Sequence, residues 1–261
     1  MTALQGKIAF VAGGSKGIGF ACAQRLAQHG ANVFLAASNP ERLEAATASI
    51  IESTGRRAWY HAADLRTLDG CESAVEALRS DCGRCDILVN SAGATRGGLF
   101  PDQPDEEMID GFALKFHGAV RISRLLWPLL TASRGTVVNI VGGFARSPMA
   151  DFMVGGAVNA ALANFSKALA EQGLRDDVNV NWIHPGLTVT DRLEKIFADR
   201  SEQQGKSRDE VEAEQVSQEG IRRLGKPEDV AALVAFLCSG DARHIHGTGI
   251  AVDGGGAKGY Q

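Results

Sequence analysis

The sequence predicts an α/β protein built on a doubly wound parallel sheet of about seven strands, with helices on both faces. Two observations support this fold class. Short apolar segments alternate with longer segments of helical periodicity along the chain of 261 residues. The first apolar segment, Ile8–Ala12, runs into a glycine-rich turn that leads directly into a helical pattern over 18–29. Such strand–turn–helix units are typical of parallel sheets.

Seven strands and six helices follow from this alternation. The predicted strands are Ile8–Ala12, Asn32–Ala37, Ala58–Ala62, Ile87–Asn90, 136–141, 178–183 and Gly249–Val252. The predicted helices are 18–29, 41–53, 68–81, 105–130, 158–174 and 228–238. The first six strands are short and often apolar on both faces, as strands covered by helices must be. No repeat or linker divides the chain, so we expect one domain over residues 1–261.

A charged segment at about 191–223 interrupts the alternation between the sixth and seventh strands. Its Glu, Lys, Arg and Gln residues have helical spacing and few apolar neighbours. Open α/β sheets bind ligands beyond the carboxyl ends of their strands, and a segment placed after the sixth strand would lie over that crevice. We interpret it as a lid-like insertion over the substrate, and a solvated pair of surface helices is the alternative.

Composition and charge limit the cellular compartment and the binding partners that we expect for this chain. The net charge is −4 and no long basic run occurs, so nucleic acid is not expected as a partner. No run of 18 apolar residues exists, so a membrane is not expected either. The N-terminal residues lack the apolar core of a signal peptide, and the five scattered cysteines do not suggest a disulfide framework. We expect a cytoplasmic protein without a metal site.

The turn at residues 13–19 reads Gly-Gly-Ser-Lys-Gly-Ile-Gly. Free N–H groups and the positive end of a helix dipole converge at such a turn, which suits it to bind an anion. The spacing Gly-x-x-x-Gly-x-Gly differs from the common dinucleotide fingerprint. The loop by itself therefore indicates either a phosphate-binding turn or an ordinary glycine-rich βα turn.

Further motifs in the same order make the chain resemble the short-chain dehydrogenase/reductase family over essentially its whole length. They are Asp64-Leu65, Asn90-Ser-Ala-Gly93, Pro185-Gly186 with Thr188 and Thr190, and Val252-Asp-Gly-Gly255. The resemblance implies a Rossmann-type domain that binds NAD(P) and acts on a small-molecule substrate. The cofactor-binding residues that it implies are Gly13, Ser15, Lys16, Gly17, Ile18, Gly19, Ser38, Asp64, Leu65, Asn90, Ala92, Gly93, Pro185, Gly186, Thr188 and Thr190.

We expect NADP(H) to be favoured over NAD(H). An acidic residue at the end of the second strand would hydrogen bond the ribose diol of NAD and repel a 2′-phosphate. Ala37 and Ser38 occupy these positions, so the acid is absent. Lys16 in the glycine loop can supply positive charge to a phosphate, although a solvated loop lysine is the alternative interpretation.

The family's catalytic residues are Asn, Ser, Tyr and Lys, and the resemblance places them on Lys115, Gly142, Gly155 and Asn159. None of the four is retained, and the two tyrosines of the chain, Tyr60 and Tyr260, lie outside the helix predicted over 158–174. Asn and Lys are exchanged, so Lys115 is the candidate catalytic residue. It is interpreted as an acid/base, a nucleophile or a ribose contact, and a surface lysine is the alternative. The glycines suggest space for a larger substrate or a partner helix.

Three functions remain open at this point. The first is an NADP(H)-dependent oxidoreductase that acts on a carbonyl or hydroxyl group with a non-standard active site. The others are a non-catalytic protein that binds NADP(H) or a ligand, and a non-redox lyase or isomerase that uses Lys115. Arg96 and Arg146 are candidates for an acidic substrate group, although solvated arginines are commoner. The family's helix pairing implies a homo-oligomer, either a tetramer or a dimer.

Overall fold

A seven-stranded parallel sheet forms the centre of the structure, a computed structural model that describes residues 3–93 and 95–258. The strands are β1 (Ile8–Ala12), β2 (Asn32–Ala37), β3 (Ala58–Ala62), β4 (Ile87–Asn90), β5 (Thr136–Ile140), β6 (Asn179–Pro185) and β7 (Gly249–Val252). Their order in the sheet is β3-β2-β1-β4-β5-β6-β7, and all neighbours are parallel. The order reverses direction between β1 and β4, which is where doubly wound sheets bind ligands.

Helices cover both faces of this sheet. They are α1 (Gly17–Gln28), α2 (Pro40–Thr54), α3 (Leu68–Cys82), α4 (Asp105–Gly111), α5 (Ala119–Ser133), α6 (Met153–Asp176), α7 (Asp191–Gln204), α8 (Arg208–Glu219) and α9 (Pro227–Leu237). One core joins β1 and β2 to α1, α2 and α9 through Leu26, Leu43 and Val234. A second core on the other face includes Leu78 of α3 and Leu126 of α5. Burial from both faces explains why β1 is apolar throughout and why its neighbours in the sheet are largely apolar. The predicted fold class is confirmed.

The helix starts differ in how their free N–H groups are satisfied. In α2 the Asn39 side chain accepts from the Arg42 N–H at 2.7 Å, and in α3 the Thr67 hydroxyl accepts from the Gly70 N–H at 3.0 Å. By contrast, α1 begins after Lys16 with no side-chain cap and no acidic residue in its first turn. The first N–H groups of α1 therefore remain available to an anion from outside the chain.

Two predicted helix ranges were wrong. The helix predicted over 105–130 is divided into α4, a π-helical turn (Phe112–Gly118) and α5. Helix α6 begins at Met153, five residues before the predicted start. Paired glycines disfavour a helix by propensity, but the buried side chains of Val154 and Val158 anchor this first part of α6. The charged segment predicted at about 191–223 contains α7 and α8 and continues for a few residues beyond them.

Helices α7 and α8 pack on each other rather than lying as two separate surface helices. Leu193 and Phe197 of α7 and Val211 of α8 form a small buried cluster with Leu224. None of the helices in the described ranges is long and apolar enough to cross a membrane.

Candidate active site

The predicted cofactor-binding residues gather along the carboxyl edge of the sheet. They follow β1, β2, β3, β4 and β6, which all end at this edge. The chain after β6 folds back onto the glycine loop, because a Cβ atom placed on Gly17 would lie 3.4 Å from Thr190 Cγ2. Residues separated by more than half of the chain therefore meet at the N-terminus of α1.

The glycine loop packs its backbone tightly against the end of β4. Gly13 has a φ of +78°, and a Cβ atom there would lie 2.7 Å from the Ala92 backbone. A Cβ atom on Gly19 would lie 2.2 Å from the Gly13 carbonyl oxygen. Larger residues would fill this space, so the glycines are required for the close approach. The uncapped start of α1 together with a glycine-rich loop fits the pyrophosphate of a dinucleotide.

The side chain of Asn90 points into the protein instead of toward this loop. Its Nδ2 donates to Asn139 Oδ1 at 2.8 Å and to Ser123 Oγ at 3.1 Å, and Asn139 Nδ2 donates to Ser166 Oγ at 2.7 Å. The buried amide chain ties β4 to β5, α5 and α6 and makes the floor of the site rigid. A contact of Asn90 with a ligand would have to use its backbone.

The residues predicted to favour NADP(H) lie at the open end of the loop. Ser38 is exposed at the end of β2. Lys16 is also exposed, and its Nζ lies 3.7 Å from Asp191 Oδ2 at the start of α7. Lys16 therefore links the glycine loop to the first residue of the charged segment. Surface pairs of this kind are weak, so the lysine is readily available to a phosphate.

Lys115 lies in the π-helical turn and reaches the end of β4. A Cβ atom on Gly93 would lie 2.8 Å from Lys115 Cδ, so the lysine stem packs directly on the Gly93 backbone. Burial and, to a lesser extent, the positive charge of Arg192 lower the pKa of Lys115 from 10.5 to about 8. An amine with this pKa exchanges protons near neutral pH, which an ordinary surface lysine does not.

The carboxamide of Asn159 fills the space beside Gly142. Its Oδ1 accepts from the Gly142 N–H at 2.6 Å, and its Nδ2 donates to the Gly155 carbonyl oxygen at 2.7 Å. A Cβ atom on Gly142 would lie 2.8 Å from Asn159 Nδ2. Gly142 therefore does not widen the pocket, contrary to the expectation from the sequence, because a side chain of the same protein occupies that space.

The ring of Phe152 takes the space next to Gly155. A Cβ atom on Gly155 would lie 1.9 Å from the Phe152 ring, which no side chain could tolerate without displacing it. Phe152 also packs against Phe144, with 4.9 Å between the ring centroids. The expectation that this glycine makes room for a larger substrate or a partner helix was wrong, since an aromatic ring of this chain lies there.

His184 uses both ring nitrogens within the protein. Trp182 Nε1 donates to His184 Nε2 at 3.0 Å, so the ring proton is on Nδ1 and points to the Gly142 carbonyl oxygen at 3.2 Å. Burial is the main cause of a lowered pKa at His184. A buried, neutral imidazole with both nitrogens engaged positions the Gly142 backbone, and it is not the proton donor of the site.

A family model described as enoyl-(acyl carrier protein) reductase matches residues 12–257. The chain belongs to the short-chain dehydrogenase/reductase family. Among curated members, 2,3-dihydro-2,3-dihydroxybenzoate dehydrogenase of Bacillus subtilis is 32% identical over 257 residues, which are 98% of this chain and 98% of that protein. The predicted family is thereby confirmed.

Solved structures of short-chain dehydrogenases/reductases superpose closely on this chain. L-Sorbose reductase from Gluconobacter frateurii, complexed with NADPH and L-sorbose, has a TM-score of 0.96 and 33% identity, and the match covers 100% of both chains. An NADPH-bound short-chain oxidoreductase from Pseudomonas aeruginosa PAO1 is described as containing an atypical catalytic centre. It has a TM-score of 0.89 and 28% identity and covers 97% of this chain and 98% of its own.

The two tyrosines of this short-chain dehydrogenase/reductase do not supply an obvious proton donor. Tyr60 lies in β3, which three other strands separate from β5. Tyr260 lies outside the described residues. Within the described ranges, no cluster of three or more His, Cys, Asp or Glu side chains could hold a metal ion. Lys115, with a pKa lowered to about 8, therefore remains the candidate proton donor at this edge.

One residue near the site, Arg192 on α7, was not predicted from the sequence. Its Nη2 donates to the Thr95 carbonyl oxygen at 2.5 Å, and its guanidinium lies 5.7 Å from the centroid of the Phe152 ring. The residue stands in a segment of charged side chains at helical spacing, most of which are solvated. Its position two residues after Thr190 was the one available signal.

Arg192 also lines a cavity of about 780 Å³ between α4, α7 and the loop after β4. The other residues that line it are Arg66, Thr95, Arg96, Gly97, Glu106, Glu107, Asp110, Lys195, Ile196 and Asp199. The volume is in the range of small-molecule sites in this and other enzyme families. Arg96, which the sequence singled out, is exposed and paired with Glu107 at 3.0 Å.

Proposed function

We propose that the protein is an NADP(H)-dependent oxidoreductase that interconverts a carbonyl and a hydroxyl group of a small molecule, with Lys115 as the acid/base group. One observation carries the proposal: the Lys115 side chain packs on Gly93, inside the segment assigned to the cofactor, with a pKa of about 8. A general acid or base works best when its pKa lies near the working pH.

The cofactor assignment rests on the backbone around α1 and on the related structures. Glycine at 13 and 19, together with the uncapped N–H groups of α1, is suited to hold the pyrophosphate. L-Sorbose reductase, 33% identical to this chain, binds NADPH. The absent acid at the end of β2, exposed Ser38 and exposed Lys16 favour NADP(H) over NAD(H). When bound, the cofactor supplies or accepts the hydride.

We propose a non-standard active site, because the resemblance to the family would put its Ser, Tyr and Lys at Gly142, Gly155 and Asn159. In the direction of reduction, the protonated Lys115 amine donates its proton to the carbonyl oxygen as the carbonyl carbon gains a hydride. In the direction of oxidation, the neutral amine accepts the hydroxyl proton. At a pKa of about 8 both forms of Lys115 are populated between about pH 7 and pH 9.

The segment at 191–223 is proposed as the lid of a single domain. Its first residue pairs with Lys16 of the glycine loop, and its second reaches the Thr95 carbonyl oxygen across the cleft. These two contacts join α7 to both sides of the crevice, which favours a lid over a solvated helix pair.

Two alternatives each have an observation in their favour. Phe152 occupies the space beside Gly155, which would suit a protein that binds NADP(H) without catalysis. The lowered pKa of Lys115 would also suit a lyase that forms a Schiff base.

Replacing Lys115 separates these functions in one set of measurements. Wild type, Lys115→Met and the control Lys167→Met, an exposed lysine of α6, are compared. NADPH affinity is measured by fluorescence titration and carbonyl reduction by absorbance at about 340 nm. We expect Lys115→Met to lose about 100-fold or more in turnover and to bind NADPH as wild type does, while Lys167→Met matches wild type.

Other outcomes would each favour a different function. Loss of NADPH affinity alone would make Lys115 a ribose contact. Tight NADPH binding by wild type with no turnover of any carbonyl compound would favour a binding protein. Trapping of a substrate on Lys115 by borohydride, without any need for NADPH, would favour the lyase.

We further propose a cytoplasmic homo-oligomer, either a tetramer or a dimer, that pairs through α5 and α6. The exposed face of α6 carries the small residues Ala157, Ala160 and Ala168, which permit close helix contact. Light scattering at micromolar concentration tests this, and a monomer would contradict it.

A further inference from the structure

The partners of Arg192 do not neutralise its charge. Of its five N–H donors, the hydrogen bonds to described residues use Nη2 alone, and the acceptor is the neutral Thr95 carbonyl group. The remaining contact is with the face of Phe152. None of the ion pairs within residues 3–93 and 95–258 includes Arg192.

Other arginines of the protein show what a carboxylate partner does. Hydrogen bonds to Asp110 raise the pKa of Arg66, and hydrogen bonds to Asp229 raise the pKa of Arg223. In Arg192 the pKa is lowered, and burial is the cause. The side chain of Arg192 is nevertheless exposed as a whole, so its burial is partial, and no carboxylate of the described residues compensates for it.

The charges of the cavity separate into paired and unpaired groups. Arg66 is paired with Asp110, and Arg96 with Glu107. Burial lowers the pKa of Lys115, and the charge of Arg192 lowers it further, so these two positive charges act on each other. Two cations close enough to interact attract an anion, and the carboxylates of Glu106 and Asp199, which also line the cavity, oppose this attraction.

The direction of the Arg192 side chain identifies the source of this anion. Asp191, the preceding residue, points to Lys16 at the glycine loop. Arg192 points the other way, to Thr95 and Phe152, and lines the cavity. The pyrophosphate of a cofactor would lie at the glycine loop. An anionic group that binds Arg192 would therefore belong to a substrate bound in the cavity.

We propose that Arg192 binds a carboxylate or similar anionic group of the substrate, so that the substrates are small carbonyl or hydroxyl compounds with a negative charge. The inference rests on the proposed oxidoreductase function and narrows its substrate class. The planar fork of Arg192 still offers Nε and Nη1 to two carboxylate oxygens. The same anion draws the carbonyl group toward Lys115.

The test compares keto acids with their methyl esters, which differ in charge and little in shape. The pairs are pyruvate, acetoacetate and levulinate, each against its ester. Binding to the NADP⁺-loaded protein is measured by calorimetry and reduction by the loss of NADPH absorbance. The variants are Arg192→Met, Arg192→Lys and the control Arg200→Met, which changes another arginine of α7 that bonds Gln215 on α8.

We expect wild type to prefer at least one acid over its ester by about tenfold or more, the size of a charge-assisted hydrogen bond. Arg192→Met should lose this preference, Arg192→Lys should keep part of it, and Arg200→Met should keep all of it. The NADPH affinity of each variant should stay within about twofold of the wild-type value. An unchanged NADPH affinity also shows that the variant is folded.

Two results would overturn the inference. One is a wild-type protein that binds no acid more tightly than its ester. The other is an Arg192→Met variant that loses NADPH affinity and affects acids and esters equally, because the anion would then be the cofactor's pyrophosphate. A preference for acids that is seen in binding and lost in Arg192→Met, without turnover in wild type, would support the anion site and refute the oxidoreductase function.

Discussion

Replacing Lys115 by methionine is expected to stabilise the folded protein at neutral pH, even as it removes the proposed proton donor. Methionine keeps an unbranched apolar stem that can pack on Gly93 as the lysine stem does. It removes an ammonium group that the cleft desolvates and that Arg192 repels. Active sites often carry such destabilising groups, and replacing them commonly raises stability at the expense of activity.

The size of the effect follows from the pKa of Lys115, which falls from 10.5 to about 8 in the folded protein. Each pKa unit corresponds to about 1.4 kcal/mol, so burying the charged amine costs about 3 kcal/mol. Water at this partly exposed side chain screens the charge, which reduces the expected gain to about 2 kcal/mol.

The stability difference between the two proteins should depend on pH. Below about pH 8 the amine is protonated in the folded and unfolded states alike, and the full penalty is present. Between about pH 8 and 10.5 the unfolded chain binds more protons than the folded protein, so the stability of wild type rises with pH through this window. The advantage of Lys115→Met should therefore be largest at pH 7 and should shrink by about pH 10.

Urea denaturation of both proteins without NADP(H), at pH 7 and near pH 10, measures the free energies of unfolding. Other groups titrate in both proteins, so their effects cancel in the difference. Lys167→Met serves as the control, since Lys167 is exposed on α6. A Lys115→Met variant no more stable than wild type at pH 7, or a difference independent of pH, would refute the reasoning.

The remaining predictions concern the acid/base group, the cofactor and the packing of α6. The rate of reduction should fall as the pH rises through about 8, because the protonated form of Lys115 donates the proton. In Arg192→Met this fall in rate should occur at a higher pH, because the charge of Arg192 no longer lowers the pKa of Lys115. The pH dependence of kcat measures both effects. Lys16→Ala should weaken NADPH more than NADH by about 1 kcal/mol, as calorimetry can show, because an exposed charge–phosphate contact is lost. Gly155→Ala should destabilise by about 1–3 kcal/mol, because its Cβ would overlap the Phe152 ring, and a Phe152→Ala change in the same protein should recover part of that loss in thermal denaturation.

The fold could be predicted because its signals are local. Alternating apolar and helical segments predicted all seven strands, the helices α1, α2, α3, α6 and α9, and a single helix where α4 and α5 lie. The strand boundaries agree with the structure to within about two residues. The π-helical turn at Phe112–Gly118 has no sequence period of its own, so it was read as part of one long helix. The start of α6 was missed because paired glycines oppose a helix that burial of Val154 and Val158 nevertheless fixes.

The site was less predictable, because its contacts join residues that are distant in the chain. Some of its residues also belong to charged types that are common on protein surfaces. Lys115 was found from its alignment with a family position, but its lowered pKa depends on packing against Gly93 and on Arg192. That Phe152 fills the space beside Gly155, and Asn159 the space beside Gly142, can be seen only in the three-dimensional structure. Arg192 is one charged residue among many in its segment, and no sequence period separates it from its solvated neighbours.

The close contacts around the start of α6 limit which substitutions this protein can tolerate. A side chain at Gly142 meets the Asn159 amide, and one at Gly155 meets the Phe152 ring. Replacing Asn159 leaves the Gly142 N–H and the Gly155 carbonyl group without their present partner. A single substitution at any of these three positions is therefore expected to destabilise the fold. A library that seeks a new side chain at Gly142 or Gly155 in this scaffold has to vary these two residues together with Phe152 and Asn159.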